Sequence, residues 1–215
     1  MTSALSCSIL DIIQETVSSA SFQQRLNEIN IHFFNLKQES HIRNALLIEL
    51  NQYFQQQHLS YTAISEYPRI NNTRVDLSIV DLETRAVIYK VEFKFQLTGD
   101  YKARDLVYRH REVEYDFIEK DSDLFVLIVI DWDDAKKREY DLSLGLLASL
   151  TQYNKGNTPT WRDTVASIFA HYPQAQFNQS EKISLTAPYP TDYHFYYLSK
   201  SESNPLNNQE GRISA

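Results

Sequence analysis

Glycine is scarce in this chain, with four in 215 residues. A phosphate-cradling loop needs glycine where backbone must approach a ligand closely; no Gly-rich phosphate loop is present, so ATP use is not expected. Cysteine occurs once, as Cys7, which excludes an internal disulfide and suits a reducing compartment. There is no zinc-spaced cluster of Cys or His and no serine nucleophile elbow. No apolar run is long enough to span a bilayer. The opening residues, Met1 to Ile13, have no basic segment and meet acids at once, unlike a signal peptide. These shortages lead us to expect a soluble, cytoplasmic protein. Positive charge is also in deficit, with 21 Lys and Arg against 28 Asp and Glu, a net charge of −7. That argues against a passive nucleic-acid coat, whose affinity rests on bulk positive charge. It does not exclude an enzyme whose acidic site supplies part of the count. The hydrophobic content, 42%, suffices for one good core.

The most informative stretch is AVIYKVEFKFQ, Ala86 to Gln96, a Val- and Phe-rich strand carrying an acid and a lysine. Residues i and i+2 of a strand share a face, so Glu92 and Lys94 project together while Val91, Phe93 and Phe95 project to the other side. Asp76 belongs to a preceding apolar segment, RVDLSIV. A hairpin turning about Thr84 would set residue 76 opposite residue 92. Two carboxylates and an amine would then meet. Burying two acids together is costly unless a proton or cation resolves the charge, and a hard divalent ion such as Mg²⁺ takes oxygen ligands of this kind. Such an ion can activate water and offset charge on a phosphate, with Lys94 orienting or deprotonating the water or stabilising the developing charge. The expected reaction is phosphodiester hydrolysis. The bland alternative is a cross-strand salt bridge on a solvated sheet face. Acid-any-lysine also occurs at Asp100 to Lys102 and Asp134 to Lys136, in turn-like or polar segments.

RVDLSIV followed by VEFKFQ resembles the PD-(D/E)XK nuclease superfamily over roughly residues 38 to 131. Val75 stands where the proline that names the motif would be. The resemblance implies metal-binding Asp76 and Glu92, a catalytic Lys94, Mg²⁺ as cofactor with Mn²⁺ able to substitute, a DNA substrate with RNA left open, and a homodimer. It also implies a supporting Gln96 and a further metal-ligating glutamate on the first core helix, for which Glu39 and Glu49 are the candidates. Glu66, at a strand end before the aspartate, is a weaker one. Each has an ordinary explanation. Glu39 favours the helix dipole, Glu49 suits an arginine partner within an apolar stripe, and Glu66 suits solvent. The alternative to an endonuclease is a catalytically silent nuclease-fold module that binds DNA or serves assembly.

Periodicity places one or two amphipathic helices over residues 5–35, a clear helix over 38–57, a strand over 59–66, and then the two hairpin strands. A helix over 101–118 carries a stripe of Arg104, Tyr108, Arg111 and Tyr115. With Lys102, the stripe is a candidate nucleic-acid contact or simply a solvated helix face. LFVLIVI, Leu124 to Ile130, reads as a buried central strand. DWDDAKKREYD breaks the pattern before a helix expected over 142–153, and residues 161–171 suggest another helix. The Tyr193 to Tyr197 segment suits base stacking, an edge strand or a subunit contact. The expected architecture is a three-layer α/β/α sandwich around a central mixed sheet, with an αβββαβ core and extra N-terminal helices. The superfamily named above has the same core, the restriction endonuclease-like fold. The expected division is a helical extension at 1–37, the core at 38–155, a C-terminal extension packed on it at 156–203, and a disordered tail at 204–215.

Overall fold

The computed structural model describes residues 8–70, 73–98, 111–146, 160–180 and 182–200. Ser8 opens helix α1 (Ile9–Ser18) with a capping box, its hydroxyl accepting from Asp11 N while the Asp11 carboxylate accepts from Ser8 N. Ser19 ends that helix and caps α2 (Ala20–His32). Helix α3 (Glu39–Gln56) buries Ile42, Ala45, Leu46, Leu50 and Phe54 along one stripe.

The strands are β1 (Tyr61–Ser65), β2 (Arg69–Ile70), β3 (Thr73–Arg74), β4 (Leu77–Asp81), β5 (Val87–Leu97), β6 (Leu124–Trp132), β7 (Ala175–Gln179), β8 (Ile183–Leu185) and β9 (Thr191–Lys200). Seven of them form a sheet in the order β1-β4-β5-β6-β9-β7, with β8 also on β9; β2 and β3 form a separate ribbon. The β5–β6 pair is parallel and the others are antiparallel, so the sheet is mixed.

Alternation along the central strands divides the core between two faces. Phe93, Phe95, Leu124, Val126, Ile128, Phe195 and Tyr197 pack with α1, α2 and α3. Phe125, Leu127, Val129, Tyr196 and Leu198 pack with Val113 and Phe117 of a helical segment at 111–119, which passes into a π-helix over Glu114–Glu119, and with Trp161, Val165 and Ile168 of helix α5 (Thr160–Ala170). The protein is therefore a mixed α/β fold with helices against both faces of a central mixed sheet.

Three sequence expectations differ from what is observed. The polar stretch after β6 is not a break but helix α4 (Asp134–Ser143). Asp133 caps it by accepting from Ala135 N and Lys136 N. Its buried stripe is disguised because it is charged: Lys137 donates to Asp141 at 2.8 Å, four residues along, with both side chains at 2% exposure or less. The rings of Trp132, Tyr189 and Phe34 surround the ammonium at 5.4 to 5.9 Å. The expected helix over 142–153 thus overlaps only the end of α4, and its residues 147–153 lie outside the described residues. The aromatic segment after 190 is not an edge strand. It is β9, paired with β6 on one side and with β7 and β8 on the other, with Tyr193, Tyr196 and Tyr197 buried and unavailable for base stacking. The Tyr193 hydroxyl is satisfied by Asn30 and Gln38. Strands β7, β8 and β9 therefore belong to the same sheet as the hairpin.

Candidate active site at a strand fork

Strand β4 begins at Leu77, which pairs with Val91, so β5 runs on past the start of its antiparallel neighbour. That fork builds the site. Asp76 lies just before β4, and the register of Leu77 with Val91 continues to set it level with Glu92, as the hairpin symmetry predicts. The backbone N–H groups of Phe93 and Phe95, which alternate toward the β4 side, donate to carboxylates rather than to a strand: Phe93 N to Asp76 Oδ2 at 2.9 Å and Phe95 N to Glu39 Oε2 at 2.8 Å. Glu39 reaches the fork from the first turn of α3.

Glu92, Lys94 and Gln96 pair with Phe125, Leu127 and Val129 of β6 and share the face covered by the 111–119 segment. Glu92 is only 1% exposed and Gln96 is buried. Glu92 Oε2 accepts from Lys120 Nζ at 3.0 Å, but Oε1 is buried with no hydrogen-bond partner among the described residues. Burial, reinforced by the neighbouring Asp76 charge, pushes the Glu92 carboxyl up to about 8, against the opposing pull of Lys120. Lys94 Nζ lies 3.3 Å from Asp116 Oδ2 and 3.4 Å from Glu112 Oε1. Its burial disfavours the charge, yet Asp116, Glu112 and Glu39 together outweigh it and raise the affinity of Lys94 for its proton.

Among the described residues, two cations that sequence reading passed over join the site. Lys120 bridges Glu92 and Asp116, lying 2.8 Å from Asp116 Oδ1. Arg43 Nη1 sits 3.3 Å from Asp76 Oδ1 and 3.8 Å from Glu66 Oε1. Both had a signal in their spacing. Glu112, Asp116 and Lys120 recur every four residues, beside the apolar Val113 and Phe117, and Arg43 follows Glu39 by four on α3.

The structure separates the remaining candidates. Glu39 is at the fork. Glu49 is ten residues further along α3, about 15 Å at 1.5 Å per residue, where it is buried and bound to Arg25 and Ser21 of α2. Those two partners overcome the burial penalty and hold its carboxyl below the ordinary range. Glu66 has a left-handed backbone (φ 54°) at the end of β1 and pairs with Arg74 at 3.0 Å, with Arg69 at 3.6 Å and with Arg43. It therefore joins the site through Arg43. Arg111 is exposed. Lys102, Arg104 and Tyr108 lie outside the described residues.

Among the described residues, no three carboxylate, histidine or cysteine groups converge as a ready metal-ligand set. The donor chemistry nonetheless fits a hard cation. Asp76 and Glu92 offer carboxylate oxygens, and Glu92 Oε1 is an orphaned buried acceptor. Compared with protein-family models, curated proteins and solved structures, the chain matches none.

Proposed function

We propose that this protein is a metal-dependent endonuclease that hydrolyses phosphodiester bonds of DNA on a restriction endonuclease-like, PD-(D/E)XK core. The observation that carries the reading is the register that sets Asp76 level with Glu92 at the fork, with Lys94 two residues on along the same strand and a buried Glu92 oxygen that has no hydrogen-bond partner among the described residues. A salt bridge on a solvated face, the bland alternative, does not account for a carboxylate that is 1% exposed.

Asp76 and Glu92 would hold Mg²⁺, or Mn²⁺ in its place, with Glu39 the helix glutamate nearest to them. When bound, the ion supplies charge neutralisation at the phosphate and a more acidic water. In the reaction a bond forms from water oxygen to phosphorus, the bond from phosphorus to the 3′ oxygen breaks, and the leaving oxygen ends protonated. The carboxylates around Lys94 keep it as an ammonium, so its part is to hold charge on the phosphoryl oxygens rather than to take a proton from water. Gln96 lies next along the same face, and exposed Arg111 suits contact with the phosphate backbone. A duplex cut on both strands needs two such sites, which favours a homodimer.

One observation favours a second reading, the catalytically silent DNA-binding or assembly module: Lys94, Lys120 and Arg43 are all already paired with acids. Incubation of supercoiled plasmid, circular single-stranded DNA and RNA with Mg²⁺, Mn²⁺ or EDTA separates the two. Metal-dependent cutting is expected, with DNA preferred. Unchanged cutting by Asp76→Ala would sink the nuclease reading, and DNA retention on a gel without cutting of any substrate would favour the silent module.

A further inference from the structure

Among the described residues around the fork, six carboxylates (Glu39, Glu66, Asp76, Glu92, Glu112, Asp116) and three cations (Arg43, Lys94, Lys120) are each under a third exposed, while the more exposed Lys37 pairs with Glu39 and Arg69 and Arg74 pair with Glu66. The positive charges are not spread evenly. Among the described residues Lys120 is the cation paired with Glu92, taking Oε2 at 3.0 Å, and it has a second anchor in Asp116 at 2.8 Å. Its ammonium also lies 5.3 Å from the centre of the Tyr115 ring. Asp116 is in turn shared with Lys94.

We infer that Lys120 is a tethered counter-cation that occupies Glu92 until a divalent ion displaces it onto Asp116. This rests on the metal-site reading above and adds to it a device that sets the affinity of the site. A lysine ammonium is a compact point charge on a flexible stem, so it can leave one carboxylate oxygen while remaining paired to another acid. Like charges repel at close quarters in a poorly solvated site, and a divalent ion arriving at Glu92 Oε1 would meet the ammonium held by the other oxygen of the same carboxylate. Asp116, four residues before Lys120 on the same helical face, gives the ammonium a partner to retain, so its release from Glu92 leaves no unpaired buried charge.

The test is calorimetric titration of the full-length chain with Mg²⁺ at pH 8.5, comparing wild type with Lys120→Met, Lys120→Gln and Lys120→Arg. Methionine keeps much of the stem and removes the charge; glutamine is the second neutral variant should methionine fail to fold, as judged by circular dichroism. Mg²⁺ binding at least tenfold tighter in the neutral variant, with Lys120→Arg close to wild type, is expected. If wild type binds Mg²⁺ and the neutral variants bind equally or more weakly, the displacement is overturned while the metal site stands. If neither wild type nor variants bind Mg²⁺, both fail.

Discussion

Replacing Glu92 by glutamine removes an ionisation that the fold opposes, and the size of that opposition can be worked out. Burial, aided by Asp76, pushes the Glu92 carboxyl from an ordinary 4.5 up to about 8. At 1.36 kcal/mol per pH unit, ionising it in the folded chain costs at most about 5 kcal/mol. Between pH 4.5 and 8 the unfolded chain has released this proton and the folded chain keeps it. The folded state then binds more protons, and stability falls as pH rises. The contribution is fully present below pH 4.5 and lost as pH passes through 8. Glu92→Gln cannot titrate, so it lacks this slope, while every other titrating group is common to the two proteins. Urea unfolding in EDTA at intervals from pH 5 to 9 should show wild type losing a few kcal/mol relative to the variant. Parallel profiles would refute the electrostatic account of the fork.

Two further predictions concern the supporting structure. Lys137→Ala removes the buried ammonium that donates to Asp141 among the rings of Trp132, Tyr189 and Phe34, so thermal unfolding should show a loss of about 3–5 kcal/mol, as for other broken buried pairs. Glu39 and Glu49 should separate by assay. Glu39→Gln should lower DNA cleavage at least tenfold with little change in melting temperature. Glu49→Gln should instead cost about 1–3 kcal/mol of stability by weakening the Arg25 and Ser21 contacts, with cleavage retained.

The hairpin and its charged residues were legible because their signal is local. Alternation in β5 assigns Glu92 and Lys94 to one face, and hairpin symmetry about residue 84 gives the register of Leu77 with Val91. The symmetry breaks only at Ile79 and Val80, where the pairing shifts by one residue. The apolar run of β6 was equally plain. Helix α4 was not, because its inward stripe carries Lys137 and Asp141, which hydropathy reads as solvent-facing. Strand β9 was not legible as an interior strand because its tyrosines combine bulk with a hydroxyl. Only partners more than 150 residues away, Asn30 and Gln38, show that the Tyr193 hydroxyl can be buried. The same distance problem hid Lys120 and Arg43. Their helical spacing was visible, but their destinations, Glu92 and Asp76, are set by how the helices dock on the sheet.

We propose that Asp76, Glu92 and Lys94 form one metal-dependent hydrolytic site. Its most direct test is the rate of Mg²⁺-dependent nicking of supercoiled plasmid by wild type and by Lys94→Ala, with circular dichroism showing both folded. Loss of the ammonium held by Asp116 and Glu112 should lower the rate at least a hundredfold, within the range for removing one group that stabilises transition-state charge. Nicking by Lys94→Ala at the wild-type rate, or nicking by wild type that persists in EDTA, would contradict the account.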